Sequence, residues 1–401
     1  MANVSSSNGL EKYPKLRFPG FDGPWKLYKA EDLFKNITDK NHADETVLTI
    51  VQGRGTMPRE KAGRNIHYDD KSLSGYKRAE RGDFIIHLRS FEGGLEMANE
   101  TGIVSPAYTI LRCTKPHSSL FYNAYFHTDE FINHVLAKSV EGIRDGRQIS
   151  YEAFKWLGIP YCCPGEQAKI HGFFEALDLR IEKQRQLVAS LKKYKRGVVH
   201  EFLSPEKCIL SGVTWTTAKI GDLGNFIKGA PLSKADISPD GTPFILYGEL
   251  YTTYNEVITS IVRKTNAKVD EIYYSKIGDV IIPTSGETPE EISTASCVMQ
   301  KDVILAGDLN IFRGNILDGR ILSYILNHIV NAEIARVAQG KSVVHVQASE
   351  ISKIEISYPD ADAQKKMISM FEAVAEKIIC AEKQLEALSD LRRGLLQQLF
   401  I

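Results

Sequence analysis

The sequence has no excess of either charge. Its 401 residues include 50 Lys and Arg and 50 Asp and Glu, so the formal net charge is zero. Proteins that coat nucleic acid are strongly basic, and this balance argues against one, although it permits a local basic face. Long apolar runs are missing too: no 18 consecutive residues are apolar, and the N-terminus lacks a signal-peptide pattern. We therefore expect a soluble, cytoplasmic protein.

Motifs for metals and cofactors are also missing. The six cysteines form no C-x-x-C pair, which predicts reduced thiols, and no histidine stands at zinc-site spacing from Cys, Asp or Glu. No G-x-G-x-x-G follows a strand pattern, and residues 340–345 (GKSVVH) have Ala335 where a phosphate-binding loop needs glycine. We expect no metal and no cofactor on this chain.

One helical pattern occurs twice. Apolar residues recur in steps of three and four from 367 to 399, and subtracting 197 from these positions gives a second series from 170 to 202. A narrow apolar stripe needs a partner helix to bury it. The predicted spacer-helix seam contains Phe174, Leu177, Ile181, Val188, Leu191, Phe371, Val374, Ile378, Leu385 and Leu388, and Tyr194 and Leu391 continue the series. Gln184 is its one polar member, either fixing the register or lying at the rim.

The repeat predicts four segments: a first globular domain (1–160), a first long helix (161–203), a second globular domain (204–358) and a second long helix (359–401). Because the first helix ends where the second domain begins, the two helices should be antiparallel. Both domains open with W-x-x-x-K-x-x-D-L, at Trp25 and Trp215. Both continue with G-D-h-I-I, where h is apolar, which predicts a Gly-Asp turn before a short strand. Their fold class is α+β.

These duplicated features, together with the ending [KR]-R-G of each helix, resemble the specificity subunit of type I restriction-modification systems. The resemblance implies two mixed α/β target recognition domains separated by two long antiparallel helices, a coiled-coil spacer, with a pseudo-two-fold internal repeat. It also implies a non-catalytic subunit that reads a bipartite, asymmetric DNA site. Two methyltransferase subunits, and through them restriction subunits, would be its partners. S-adenosylmethionine, ATP and Mg would bind those partners.

Basic residues of the first domain are candidates for DNA contact. Residues 52–64 combine arginine and lysine with three glycines and a proline, as expected of a loop that approaches a phosphate backbone. An ordinary solvated loop remains the alternative. The predicted DNA-binding residues of this domain are Arg54, Arg59, Lys61, Arg64, Lys77, Arg78, Arg89 and Arg144.

The second domain has more tyrosine and threonine. Its stretch 246–254 (LYGELYTTY) resembles one common in these recognition domains, although alternating Tyr and Thr also suits a half-buried strand. Residues 284–287 are expected to form a polar loop near base edges, and the Gly-Lys-Ser turn at 340 to donate to a phosphate. The predicted DNA-binding residues here are Tyr247, Tyr251, Thr252, Tyr254, Ser285, Lys341 and Ser342.

A coiled-coil scaffold without a nucleic-acid role is the alternative function. For a reader that contacts Z phosphates, the logarithm of the DNA-binding constant should fall with the logarithm of the salt concentration at a slope of about −0.9Z. A scaffold should show no such dependence on salt.

Overall fold

The chain forms two compact units. The computed structural model describes residues 11–12, 14–62, 70–142, 147–338, 340 and 344–400. Unit 1 contains Met1–Arg185 and Lys383–Ile401, and unit 2 contains Gln186–Glu382. Each unit therefore holds one globular domain with one half of each long helix. This division differs from the four predicted segments, whose limits stay a prediction.

The two long helices span Pro164–Phe202 and Ala361–Phe400. Within unit 1, rising residue numbers in the first helix meet falling numbers in the second, in the pairs Phe174–Phe400, Asp178–Arg392 and Gln184–Gln384. Within unit 2, the pairs Lys192–Glu382 and Phe202–Phe371 follow the same rule. The predicted antiparallel pairing is confirmed inside each unit.

The seam between the helices is mostly apolar. Among the predicted seam residues, six are buried and four are half-buried: Phe174, Ile181, Val188, Phe371, Val374 and Ile378, then Leu177, Leu191, Leu385 and Leu388. Gln184 is buried and donates to Gln384 at 3.2 Å, so it pairs with a polar partner on the facing helix. The series is wrong at Tyr194 and Leu391, which are 58% and 50% exposed.

Unit 1 contains thirteen strands among its described residues, all paired antiparallel. They form a three-stranded sheet β1-β2-β13, a four-stranded sheet β3-β10-β7-β8 and three two-stranded ribbons, β4-β5, β6-β9 and β11-β12. The strands are β1 (Glu11–Lys12), β2 (Trp25–Lys29), β3 (Phe34–Ile37), β4 (Leu48–Val51), β5 (Gly55–Pro58), β6 (Lys77–Ala79), β7 (Phe84–Ile86), β8 (Glu96–Met97), β9 (Gly102–Val104), β10 (Thr109–Cys113), β11 (Val140–Glu141), β12 (Gln148–Ile149) and β13 (Gly158–Tyr161). Short helices lie at Ala30–Leu33, Arg59–Ala62, Asp70–Gly75, Ser90–Gly93, Ser119–Phe126, Glu130–Val135, Leu136–Ser139 and Tyr151–Phe154.

Unit 2 repeats this frame with additions. It has a two-stranded ribbon β14-β25, a five-stranded sheet β15-β23-β19-β21-β17, a three-stranded sheet β18-β16-β22 and a ribbon β20-β24. The strands are β14 (Trp215–Lys219), β15 (Gly224–Lys228), β16 (Thr242–Leu246), β17 (Val257–Ile258), β18 (Arg263–Thr265), β19 (Asp279–Pro283), β20 (Ser285–Gly286), β21 (Ser296–Val298), β22 (Ile304–Ala306), β23 (Leu309–Gly314), β24 (Val344–His345) and β25 (Glu355–Pro359). Short helices lie at Ile220–Leu223, Lys234–Asp236, Glu249–Thr252, Glu271–Tyr273, Pro289–Ile292, Gly319–His328, Asn331–Val337 and Ala348–Ile351. The mixed α+β class and the internal repeat are confirmed.

The repeated Gly-Asp motif builds the same ion pair in both units. Asp83 binds Arg112 through Nε and Nη2 at 2.9 and 2.8 Å, and Asp279 binds Arg313 in the same way at 2.9 and 2.6 Å. Each aspartate also accepts a backbone N–H three residues earlier. The glycine before each aspartate has φ near +90°, which favours glycine. The motif therefore fixes a turn and ties it to the neighbouring strand.

The ends of the long helices complete the core of each domain. In unit 1, Phe174 of the first helix and Phe400 of the second join a cluster of aromatic residues that includes Trp25 and Phe121. In unit 2, the cluster contains the opposite ends, with Phe202 from the first helix and Phe371 from the second. Each domain thus depends on both helices for its apolar core.

Two equivalent glutamines attach each domain to a long helix. Gln167 donates to the carbonyl of Cys162 at 2.8 Å and accepts from the backbone N–H of Ser118 at 2.8 Å. Gln364, 197 residues later, donates to the carbonyl of Pro359 and accepts from the N–H of Asp318. Both N–H groups belong to the N-cap residue of a helix in the domain: Ser118 caps Ser119–Phe126, and Asp318 caps Gly319–His328.

Replacing either glutamine with alanine is expected to lower the free energy of unfolding by about 1 to 3 kcal/mol, because it leaves a backbone donor and a carbonyl without a partner. Urea unfolding of Gln167→Ala and Gln364→Ala measures this. The exposed Gln397→Ala on the second long helix is the control. Stabilities equal to that of the control would show that these hydrogen bonds contribute nothing.

Candidate nucleic-acid interface

A tight turn in unit 1 presents Arg54. The turn joins β4 and β5, with Val51 paired to Gly55, and the side chain of Arg54 is exposed. Gly53 and Gly55 have φ of 75° and 77°, a left-handed conformation that favours glycine. The carbonyl of Arg54 accepts from the amide of Asn99 at 2.7 Å, so the backbone under the arginine is fixed.

Glu96 holds this turn from inside the domain. Its carboxylate is fully buried and accepts from the N–H of Gly53 at 2.6 Å and of Gly55 at 2.8 Å. His127 contacts the same carboxylate at 3.3 Å. Burial acts to raise the pKa of Glu96, but the hydrogen bonds from His127, Gly53 and Gly55 outweigh it and hold the pKa below its ordinary value. The ionised carboxylate thus preorganises the turn that carries Arg54.

The other predicted cations of the first domain have different surroundings. Arg59 is half-buried and Lys61 exposed in the short helix Arg59–Ala62, and Arg89 is exposed before Ser90–Gly93. Arg64 and Arg144 lie outside the described residues.

Lys77 and Arg78 make internal contacts. Lys77 donates to the carbonyl of Tyr108 at 2.6 Å, and burial and the charge of Lys40 lower the pKa of its ammonium group. Arg78 binds Glu45 at 2.7 Å and Glu80 at 2.9 Å. The prediction of Arg78 as a DNA ligand conflicts with this network, because a phosphate would have to compete with two carboxylates already in place.

The tyrosine-rich stretch of the second domain forms a short helix, Glu249–Thr252, and not a strand. The strand alternative for this stretch is therefore wrong. Tyr247, Tyr251 and Thr252 line an open cavity of about 790 Å³. Tyr254 lies beside it, and its hydroxyl accepts from the N–H of Val262 at 3.1 Å. The predicted tyrosines and Thr252 are therefore brought together.

Ser285 does not lie in a polar loop, and that expectation is wrong. It forms strand β20 with Gly286 and is 4% exposed. Its hydroxyl donates to Asp308 at 2.8 Å. The strand pairs with Val344–His345, a contact between distant segments that the local sequence does not reveal. Lys341 and Ser342 lie outside the described residues.

Sequence reasoning missed Arg263, which also lines the 790 Å³ cavity. The sequence gives little signal for it, because only Lys264 accompanies it in a stretch without glycine or proline. Arg263 forms an ion pair with Glu249, which lies 14 residues earlier in the chain and lines the same cavity.

The described residues offer no other obvious site class. None of their helices combines the length and apolar composition needed to cross a membrane. Nor do three or more of their His, Cys, Asp or Glu side chains converge as metal ligands.

Comparison with known families matches the second domain and most of the second long helix. The family model of the type I restriction modification DNA specificity domain matches residues 212–389. Among curated proteins, no sequence matches this chain.

Three solved structures share the fold over nearly the whole chain. The S subunit of a type I restriction-modification system from M. genitalium is 15% identical, with a TM-score of 0.55 over 97% of this chain and 99% of that one. The HsdS subunit from Thermoanaerobacter tengcongensis is 14% identical, with a TM-score of 0.50 over 96% and 97%. A chain from a structure on complex assembly and conformational transition of the type I R-M system is 14% identical, with a TM-score of 0.59 over 96% and 99%. Residues 212–389 therefore belong to the family of type I restriction modification DNA specificity domains, and the chain as a whole has the fold of type I specificity subunits.

Proposed function

We propose that this chain is the sequence-reading subunit of a type I restriction-modification complex and recognises a bipartite, asymmetric DNA site. The observation that carries this proposal is that the two domains share one structural framework but present different surfaces. The Asp83–Arg112 and Asp279–Arg313 pairs are equivalent. The first domain, however, presents Arg54 on a glycine turn, whereas the second has a cavity lined with tyrosines. Two domains with the same frame and different polar surfaces are suited to reading two different sequences.

The side chains proposed for the DNA face are those that the fold leaves accessible. In the first domain these are Arg54, Arg59, Lys61 and Arg89, and in the second Tyr247, Tyr251, Thr252 and Tyr254. Exposed cations suit phosphates, and tyrosine and threonine hydroxyls suit phosphates and base edges. Arg64, Arg144, Lys341 and Ser342 stay predictions.

Catalysis is assigned to the partners in this proposal. Two methyltransferase subunits dock on the chain, bind S-adenosylmethionine and flip the target adenine, and restriction subunits that use ATP and Mg join through them. The complex works in the cytoplasm.

Exposed apolar residues on the long helices support docking of two equivalent partners. Phe173 and Met370 are 36% and 40% exposed, and Tyr194 and Leu391 are 58% and 50% exposed. Both pairs are separated by 197 residues. Exposed apolar side chains at repeated positions fit two copies of one protein partner.

Exchange of one domain and insertion into one helix should change different features of the methylated site. Replacing residues 10–160 with the equivalent segment of a relative is expected to change one half-site only. Adding four residues, about one helical turn, near the middle of the first long helix should lengthen the unread gap between half-sites. Both chains are expressed with the methyltransferase of their own system, and methylated sites are sequenced. An unaltered site in both cases would refute the bipartite reader.

A further inference from the structure

A buried carboxylate in unit 2 is aimed at an arginine. Glu249 is 5% exposed, and its Oε2 accepts from the N–H of Leu246 at 3.1 Å. Its Oε1 accepts from Nε of Arg263. A buried carboxylate requires a cation or several hydrogen-bond donors, and Glu249 has one cation and one backbone donor. The ion pair therefore fixes the Nε edge of the Arg263 guanidinium.

The backbone that carries Arg263 is also fixed. Arg263 is the first residue of β18 and pairs with Phe244 of β16, whose side chain is fully buried. On the other side, the N–H of Val262 donates to the hydroxyl of Tyr254 at 3.1 Å. Both the main chain and one edge of the side chain are thus held before any ligand arrives.

The outer edge of the same guanidinium is available. The Arg263 side chain is 43% exposed, and its Nη atoms make no hydrogen bond to the residues that the structure describes. A guanidinium has five N–H donors, so four remain after the bond to Glu249. Arg313 differs, because Asp279 binds both its Nε and Nη2, and Arg320 is bound by Asp318 and Glu372.

The surroundings of this edge favour a base over a phosphate. Arg263 lines the 790 Å³ cavity with Tyr247, Tyr251 and Thr252. Three carboxylates and two cations line this cavity: Glu249, Glu287 and Asp308, with Arg263 and Lys234. An excess of acidic groups repels a phosphate, whereas a neutral base edge is not repelled. A fixed planar fork also suits bidentate binding better than a mobile lysine does.

We propose that Arg263 reads a guanine in the half-site of the second domain, donating from its outer edge to O6 and N7, with Glu249 as the positioning residue. Arginine donating to these two atoms is the commonest specific contact in the major groove. The proposal rests on the proposed function and deepens it, because it assigns one base to one side chain.

The test uses the full chain in complex with the methyltransferase of its own system and a library of randomised sites. Arg263→Ala is expected to lose about 5- to 150-fold of discrimination at one guanine of one half-site, with the other half-site unchanged. Arg263→Lys keeps the charge but lacks the planar fork, so it should relax the same position. Lys264→Ala, the next and exposed residue of β18, is the matched control and should change no position.

Glu249→Gln tests whether Glu249 positions Arg263. The readout is discrimination at the guanine assigned to Arg263, which a purely structural role of Glu249 would not affect. Without its charge the amide holds Arg263 poorly, so the same guanine should be relaxed. The double variant Glu249→Gln with Arg263→Ala should relax it no further than Arg263→Ala alone, because both act through one contact. Thermal melting of each complex checks folding, and Arg263→Lys keeps the test informative where Glu249→Gln unfolds.

Several outcomes would overturn the assignment. Uniform weakening of all sites by Arg263→Ala, with a smaller salt dependence, identifies a phosphate contact. A change in the half-site of the first domain, or no change at all, removes Arg263 from base reading. Relaxation by Arg263→Ala but not by Glu249→Gln removes the positioning role. A wild-type complex that methylates no defined site contradicts the proposed function itself, which is a distinguishable result.

Discussion

Phe400→Ala is expected to destabilise unit 1 by about 3 to 5 kcal/mol, the largest effect of a single truncation proposed for this chain. The Phe400 side chain is fully buried among four aromatic rings, with centroid distances of 6.0 Å to Trp25, 5.2 Å to Phe121, 5.6 Å to Tyr125 and 6.4 Å to Phe174. Removing the ring leaves a cavity that the surrounding residues cannot fill, because they belong to different elements of the domain and both long helices.

Denaturant unfolding and hydrogen exchange measure this loss. Leu391→Ala on the same helix is the control, because Leu391 is 50% exposed, and it should stay within about 0.5 kcal/mol of wild type. Leu203 is the repeat equivalent of Phe400 and is buried in unit 2. Leu203→Ala should therefore reduce protection in the second domain, and Phe400→Ala in the first. Equal stability of Phe400→Ala and Leu391→Ala would contradict the role assigned to the helix end.

The periodicity of the sequence was sufficient to predict the two long helices, because apolar steps of three and four are a helical pattern, and the order of helices and domains along the chain predicted their antiparallel direction. It failed at Tyr194 and Leu391, where the series continues but the side chains are exposed. At both places the next residue, Lys195 or Arg392, makes an ion pair. An apolar stripe drifts around a helix relative to a fixed repeat, so the inward position moves by one residue.

The candidate site was less predictable, because its geometry depends on buried acids far along the chain. Arg54 could be found from its glycine-rich setting, but Glu96, which fixes its turn, is 42 residues away. Arg263 stands in no cluster, and only its ion pair with Glu249 distinguishes it from a surface arginine. Arg78 stood in a basic cluster, yet Glu45 and Glu80 bind it. Sequence composition locates charges, whereas the tertiary fold decides which of them already have partners.

Lys195→Met is expected to destabilise unit 2 by about 3 to 5 kcal/mol at neutral pH, because it leaves a buried carboxylate without its cation. Lys195 binds Glu256 at 2.6 Å, and each side chain is 12% exposed. His328 binds the other oxygen of Glu256 at 2.8 Å. The control is Lys192→Met, one turn earlier on the same helix. Lys192 pairs with Glu382, both about half exposed, and losing such a surface pair costs under about 1 kcal/mol.

The dependence on pH separates this ion pair from simple packing. Burial acts to raise the pKa of Glu256, but His328 and Lys195 outweigh it and lower the pKa from 4.5 to about 2. Between about pH 2 and 4.5 the unfolded chain therefore binds more protons than the folded chain. The contribution of Glu256 to the free energy of unfolding is complete above about pH 4.5 and falls as the pH drops toward 2. In Lys195→Met the pKa of Glu256 in the folded chain should rise, because the lysine no longer favours the ionised carboxylate, so the stability of the variant should depend less on pH. The deficit of the variant relative to wild type, measured by urea unfolding at pH 7 and pH 4, should therefore be smaller at pH 4. A deficit that is constant with pH would mean that the lysine stabilises unit 2 through contacts other than its ion pair with Glu256, such as the one between its Nζ and the Tyr324 ring, whose centroid is 5.5 Å away.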